Sequence, residues 1–198
     1  KRRTIFKFIL IFISFALILI GMSTPRFGYR MENVKKEGHD IIMCLDISNS
    51  MRARDIKPDR LERAKMGIEK LIDRFEDDQI GLVVFAGRAQ TLYPLSPDYA
   101  GAKMFLESAQ PDIIPAQGTD IGAAIDLAAS SFAMKSKTKK IIILISDGEN
   151  HEEDALASAK TAAEKGILIY TIGMGSPVGA PIPMTGISGN PEYKKDEN

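Results

Sequence analysis

Tryptophan is absent from the 198 residues, cysteine occurs once and histidine twice. A single cysteine, Cys44, excludes an internal disulfide and with it a disulfide-stapled fold. It lies in the apolar run Ile41-Ile42-Met43-Cys44-Leu45 and reads as a core thiol. His39 and His151 are isolated, and a solvated loop position suits His151 better than a ligand role. Net charge is also lacking, with 26 basic against 26 acidic side chains. That balance gives no electrostatic case for nucleic acid. No Gly-x-x-x-x-Gly-Lys-Ser/Thr loop is present to cradle a nucleotide phosphate. No Ser/His/Asp set has usable spacing, and no internal repeat is visible. What is present is 44% hydrophobic residues, enough for one globular domain with appendages.

The N-terminus stands apart in composition. Lys1, Arg2, Arg3 and Lys7 precede an apolar run, Phe8 to Ile20, broken only by Ser14. A helix from Thr4 to Met22 would reach about 28 Å, close to the hydrocarbon thickness of a bilayer. Residues 1–23 are therefore expected to be a transmembrane anchor. A cleaved signal peptide is the rival, but no small-x-small cleavage site follows. The Lys1-Arg2-Arg3 cluster predicts an N-terminus inside and a domain outside the membrane. Pro25 and Gly28 stop the helix, and residues 24–38 read as a polar linker.

After Gly38 apolar runs alternate with helical spacing. Strands are expected at Ile41–Asp46, Ile80–Ala86, Ile141–Ser146 and Ile167–Ile172, with a short antiparallel edge at Thr91–Leu95. Pro58 is expected to start a helix carrying Leu61, Ala64, Ile68, Leu71, Ile72 and Phe75 on one face. Further helices are expected at Tyr99–Ala109, Ile121–Phe132 and Glu152–Glu164. Strands apolar on both faces, alternating with helices, predict an α/β fold with a doubly wound, mostly parallel sheet. Residues 39–176 form this domain, and residues 177–198, rich in Gly, Pro and charge, read as loop.

In such sheets ligands sit beyond the carboxyl ends of the strands. Asp46-x-Ser48-x-Ser50 ends the first strand and offers a carboxylate and two hydroxyls on one side of the turning backbone. Hard oxygen donors of this kind suit a small divalent cation. Gln117-Gly118-Thr119-Asp120 precedes an alanine-rich helix, and Ser146-Asp147-Gly148-Glu149 ends another strand. Asp120 reads equally as a water or charge-tuning group and as an acid favoured by the helix dipole. The four lysines between Lys135 and Lys140 read as a solvated loop.

Asp46, Ser48, Ser50, Thr119 and Asp147, in that order over three loops, resemble the metal-ion-dependent adhesion site (MIDAS) of von Willebrand factor type A (VWA) domains. The likeness runs from about Asp40 to Gly175. Leu61-Glu62-Arg63-Ala64-Lys65, Gly81 to Gly87, Gln117-Gly118-Thr119, Ser146 to Glu152 and the tail from Gly175 to Pro183 are similar to bacterial Bat (aerotolerance) proteins, BatA/BatB-like. The resemblance implies Mg2+, or Mn2+ or Ca2+ in its place, with both aspartates often acting through water. It implies a protein partner whose Glu or Asp completes the shell. It also implies company with other Bat proteins and a MoxR-type AAA+ ATPase. The last helix and strand expected of the fold do not follow within the sequence.

Two function classes remain open at this point. One is a metal-dependent, non-enzymatic protein-interaction module. The other is a Mg-dependent hydrolase or phosphotransferase with Asp46 as nucleophile. Haloacid dehalogenase chemistry wants a second aspartate two residues on, where this chain has Ser48, and that favours binding.

Overall fold

The computed structural model describes residues 2–22, 38–116, 118–133, 138–148, 154–176, 181, 183–185 and 191–193. Most of the expected linker, Gln117, the lysines at 135 and 137, His151, Glu152 and much of the tail lie outside these residues. The chain divides into two compact units, residues 1–35 and 36–198.

The first unit contains α1, Arg2–Met22, 21 residues of helix. Its large apolar side chains are exposed all round, from Ile13 at 49% to Phe12 at 74%. The expected transmembrane span is nevertheless not met. Among the described residues no helix is long and apolar enough to cross a membrane.

In the second unit, β1 (His39–Asp46) is buried along nearly all its length. Parallel to it on either side lie β2 (Gln79–Phe85) and β4 (Lys139–Ser146). Strand β3 (Ala89–Ser96) is antiparallel to β2 and β5 (Ile167–Gly173) parallel to β4. The order is β3-β2-β1-β4-β5, a mixed sheet. Because β1 has later strands on both sides, its carboxyl end is a topological switch point.

Strand alternation divides the core into two layers. Ile41, Met43 and Leu45 of β1 pack with Ile80, Leu82 and Val84 of β2 against α2 (Arg60–Ile72) and α3 (Tyr99–Ser108). Ile42 and Cys44 pack with Val83, Phe85, Ile142 and Leu144 against α4 (Ile121–Ser131) and α5 (Ala155–Glu164). Each fully buried large apolar side chain is worth about 1.5–3 kcal/mol. Cys44 is the core thiol expected: burial pushes it up to about 12, so no thiolate forms near neutral pH.

Several boundaries differ from the sequence expectation. Helix α2 starts at Arg60 rather than Pro58, because the Asp59 carboxylate accepts the Glu62 backbone N–H at 2.8 Å and caps it. Two 3-10 turns, Asn49–Arg52 and Pro111–Ile113, have no hydrophobic period to announce them. The tail is not all loop, since β6 (Pro183–Thr185) pairs antiparallel with β7 (Pro191–Tyr193). Among the described residues β5 has β4 as its one strand neighbour and leaves Leu168, Tyr170 and Ile172 exposed on one face.

Candidate metal centre

Strand β1 delivers Asp46 at its carboxyl end, fully buried. The chain then turns so that the Ser48 N–H donates to Asp46 Oδ1 at 2.9 Å. The 3-10 turn that follows brings Ser50 Oγ to 2.9 Å from Ser48 Oγ. Both hydroxyls are buried. Magnesium binds oxygens at about 2.1 Å in octahedral geometry, so adjacent ligands lie about 3 Å apart. The Ser48–Ser50 spacing fits one edge of such a shell without adjustment.

The second loop is docked on the end of β2. Gly87 N–H donates to Ala116 O at 3.0 Å and Asp120 N–H to Ala86 O at 2.8 Å. Ile47 N–H donates to Phe85 O at 2.8 Å, which sets this loop beside the first. Gly118 has a φ of 132° where the loop crosses Gly87, a conformation other residues resist. Thr119 is 2% exposed in this loop. Asp120 resolves as a cap: its carboxylate accepts the Ala123 N–H at 2.8 Å at the start of α4.

The third loop leaves β4. Ser146 Oγ donates to Asp46 Oδ2 at 2.7 Å and accepts the Gly148 N–H at 3.1 Å. Asp147 Oδ2 accepts from Arg60 Nη1 at 2.8 Å. The same guanidinium donates from Nε and Nη2 to the two oxygens of Asp55, at 2.9 and 3.0 Å. Asp55, Arg60 and Asp147 have side chains only 2%, 10% and 1% exposed. Asp55 Oδ2 also accepts the Ser176 N–H at 2.6 Å, tying in the segment after β5.

Electrostatics separate the carboxylates. Burial pushes Asp46 up to about 6, with hydrogen bonds from Ser146 and Ser48 opposing the rise and the nearby Asp147 charge adding to it. The guanidinium of Arg60 holds Asp55 well below the usual carboxylate range, and Asp55 in turn raises Arg60. Among the described residues no group of three His, Cys, Asp or Glu side chains is placed to hold a metal. The candidate donors here are three hydroxyls and two carboxylates, a set suited to a hard cation.

The structure therefore places all five expected residues on three loops at the carboxyl end of the sheet, Asp46, Ser48, Ser50 and Thr119 buried and Asp147 with a buried side chain. Three contributors were missed. Ser146 stood beside Asp147 in the sequence without a role. Asp55 and Arg60 meet only after α2 packs on the sheet, and neither has a local pattern that announces it.

The profile of the von Willebrand factor type A domain family matches residues 41–149. The fold superposes on BatB from Bacteroides thetaiotaomicron with a TM-score of 0.75 and 50% identity, covering 81% of this chain and 77% of that one. An aerotolerance-related membrane protein from Bacteroides fragilis gives 0.73 and 48%, covering 80% and 82%. Proximal thread matrix protein 1 from the mussel byssus, solved with a zinc-occupied MIDAS motif, shares the fold at 0.61 and 24%, covering 70% and 38%. Curated UPF0353 proteins of Mycobacterium are 27% identical over 183 residues, 86% of this chain. The chain spans 54% of their length, about half.

Proposed function

Because this chain belongs to the von Willebrand factor type A domain family, we propose that it is a metal-dependent protein-interaction module rather than an enzyme. Asp46, Ser48, Ser50, Thr119 and Asp147 hold a divalent cation, Mg2+ foremost. Neutral hydroxyls leave the ion short of negative charge, and an acidic side chain of a protein partner completes its shell. The observation that carries the reading is the 2.9 Å Ser48–Ser50 hydroxyl pair beside buried Asp46.

Hydrolysis through Asp46 is supported less well. A nucleophilic carboxylate needs a free oxygen facing substrate. Both Asp46 oxygens accept hydrogen bonds, from the Ser48 N–H and the Ser146 hydroxyl, and the residue is fully buried.

Titration calorimetry with Mg2+ and Mn2+ tests the site. Wild type is expected to bind, and Ser48→Ala to lose about tenfold or more in affinity with its far-UV spectrum unchanged. Turnover of a phosphomonoester by wild type but not by Asp46→Ala would overturn the binding reading.

Membrane attachment forms part of the proposal. It is supported by the all-round apolar exposure of α1 and by the description of one solved neighbour as a membrane protein. A helix with this surface partitions into lipid or is covered by another apolar surface. The full chain is expected in the carbonate-resistant membrane fraction and residues 36–198 in the supernatant. Equal partitioning of the two would remove α1 as the attachment element.

A further inference from the structure

The loop that carries Ser48 and Ser50 continues into a second feature. Ala53 N–H donates to Ser50 O and Ala53 O accepts the Arg60 N–H, both at 3.0 Å, so residues 53–60 form a closed excursion beside the metal centre. On it and on the first turns of α2 lies a hollow of about 480 Å³, lined by Arg54, Lys57, Pro58, Arg63 and Met66. The charges in this stretch are unevenly committed. Arg52 pairs with Asp112, Arg60 with Asp55 and Asp147, and Lys65 with Glu62. The acids Asp55, Asp59 and Glu62 are engaged by Arg60, by the cap of α2 and by Lys65. Arg54, Lys57 and Arg63 are exposed and have no ion pair among the described residues. The lining is thus three uncommitted cations around an apolar floor of Pro58 and Met66, the latter 42% exposed.

We propose that this hollow receives an acidic, apolar-containing segment of the same protein partner whose carboxylate meets the metal. The inference rests on the binding reading above and adds a second contact. Charge complementarity selects an acidic ligand, because the acids that could have neutralised these cations are already engaged. The apolar floor selects a peptide over a polyphosphate. A formal net charge of zero for the whole chain gives no broad field for nucleic acid.

The test uses the full chain in nonionic detergent with Mg2+, and two fluorescein-labelled octapeptides, one alternating Glu and Leu, the other Gln and Leu. The Glu peptide is expected to bind about tenfold tighter than the Gln peptide, with affinity falling as salt rises. The pair Arg54→Glu and Arg63→Glu is expected to lose about tenfold of that binding while its calorimetric Mg2+ affinity stays at the wild-type value. Both residues are exposed, and a thermal melt checks that the variant is folded. Equal binding of the two peptides, no binding of either, or wild-type binding by the charge-reversed variant would overturn the proposal. Stronger partition of wild type than of the charge-reversed variant into detergent micelles carrying phosphatidylglycerol, with no binding of the Glu peptide, would overturn it in favour of a lipid surface. Loss of binding in chelator with no effect of charge reversal leaves the metal reading standing and removes this one. Loss on charge reversal with no effect of chelator leaves the hollow standing and removes the metal from recognition.

Discussion

Arg60→Met is expected to destabilise the fold by about 3–5 kcal/mol, the range for breaking one side of a buried ion pair. Methionine keeps most of the aliphatic volume, so the loss reads charge rather than packing. The change takes the guanidinium away from Asp55 and Asp147, whose side chains are almost fully buried. The pH dependence separates this mechanism from a simple cavity. In wild type the folded-state pKa of Asp55 lies below its unfolded value because Arg60 donates to both its oxygens. Its stabilising contribution is therefore present above the unfolded value, about 3.9, and is lost as pH falls below it. In the variant that depression shrinks, since only the Ser176 and Ile56 N–H groups remain to favour the charged form. Urea melts at pH 7 and at about pH 3 should show the variant closing on wild type at the lower pH. The triple variant Asp55→Asn, Arg60→Met, Asp147→Asn should recover most of the loss. A deficit below about 1 kcal/mol for the single variant would mean that the triad is more solvated than its geometry indicates.

Asp46→Asn is expected to act in the opposite direction on the metal-free protein. Burial raises the folded-state pKa of Asp46 from 3.8 to about 6. The folded state thus binds a proton that the unfolded state has released, so stability is highest below about 4 and falls as pH rises through about 6. The rise from 3.8 to about 6 corresponds to about 3 kcal/mol lost by pH 7. Asparagine carries no charge and its amide can still serve Ser146 and the Ser48 N–H. The variant should be about 1–3 kcal/mol more stable than wild type at pH 7 in chelator, with a flatter pH profile. On the proposed binding reading it should also lose the rise in melting temperature expected of wild type with Mg2+. Lower stability at pH 7 with an unchanged pH profile would place the burial penalty elsewhere.

These opposed carboxylates mark where sequence reasoning reached and where it stopped. Strand β1 was legible because Ile41 to Leu45 is apolar at every position, which only a strand covered on both faces requires. The grouping of the candidate donors was legible because Asp46, Ser48 and Ser50 sit at alternate positions of one loop, and Thr119 and Asp147 each sit at an element end. Arg60 was not legible. Its helix spacing places it beside Leu61 and Ala64 on the core side, where a charged residue contradicts the pattern, and only the fold brings Asp55 and Asp147 to it. The start of α2 was misplaced because Pro58 is a strong helix-start signal while the Asp59 cap is as common in turns. The β6–β7 hairpin was missed because Gly, Pro and charge over short segments favour loop as much as strand.

The hydrogen bond from Ser146 to Asp46 joins residues 100 apart in sequence, and that from Ser176 to Asp55 joins residues 121 apart. Contacts of that span form late, after local helices and neighbouring strands have closed the shorter loops. In a chain emerging from the ribosome the five candidate donors are therefore not assembled until β4 has added to β1. On the proposed binding reading, metal occupancy would then be a certificate of finished folding, issued before any partner is engaged.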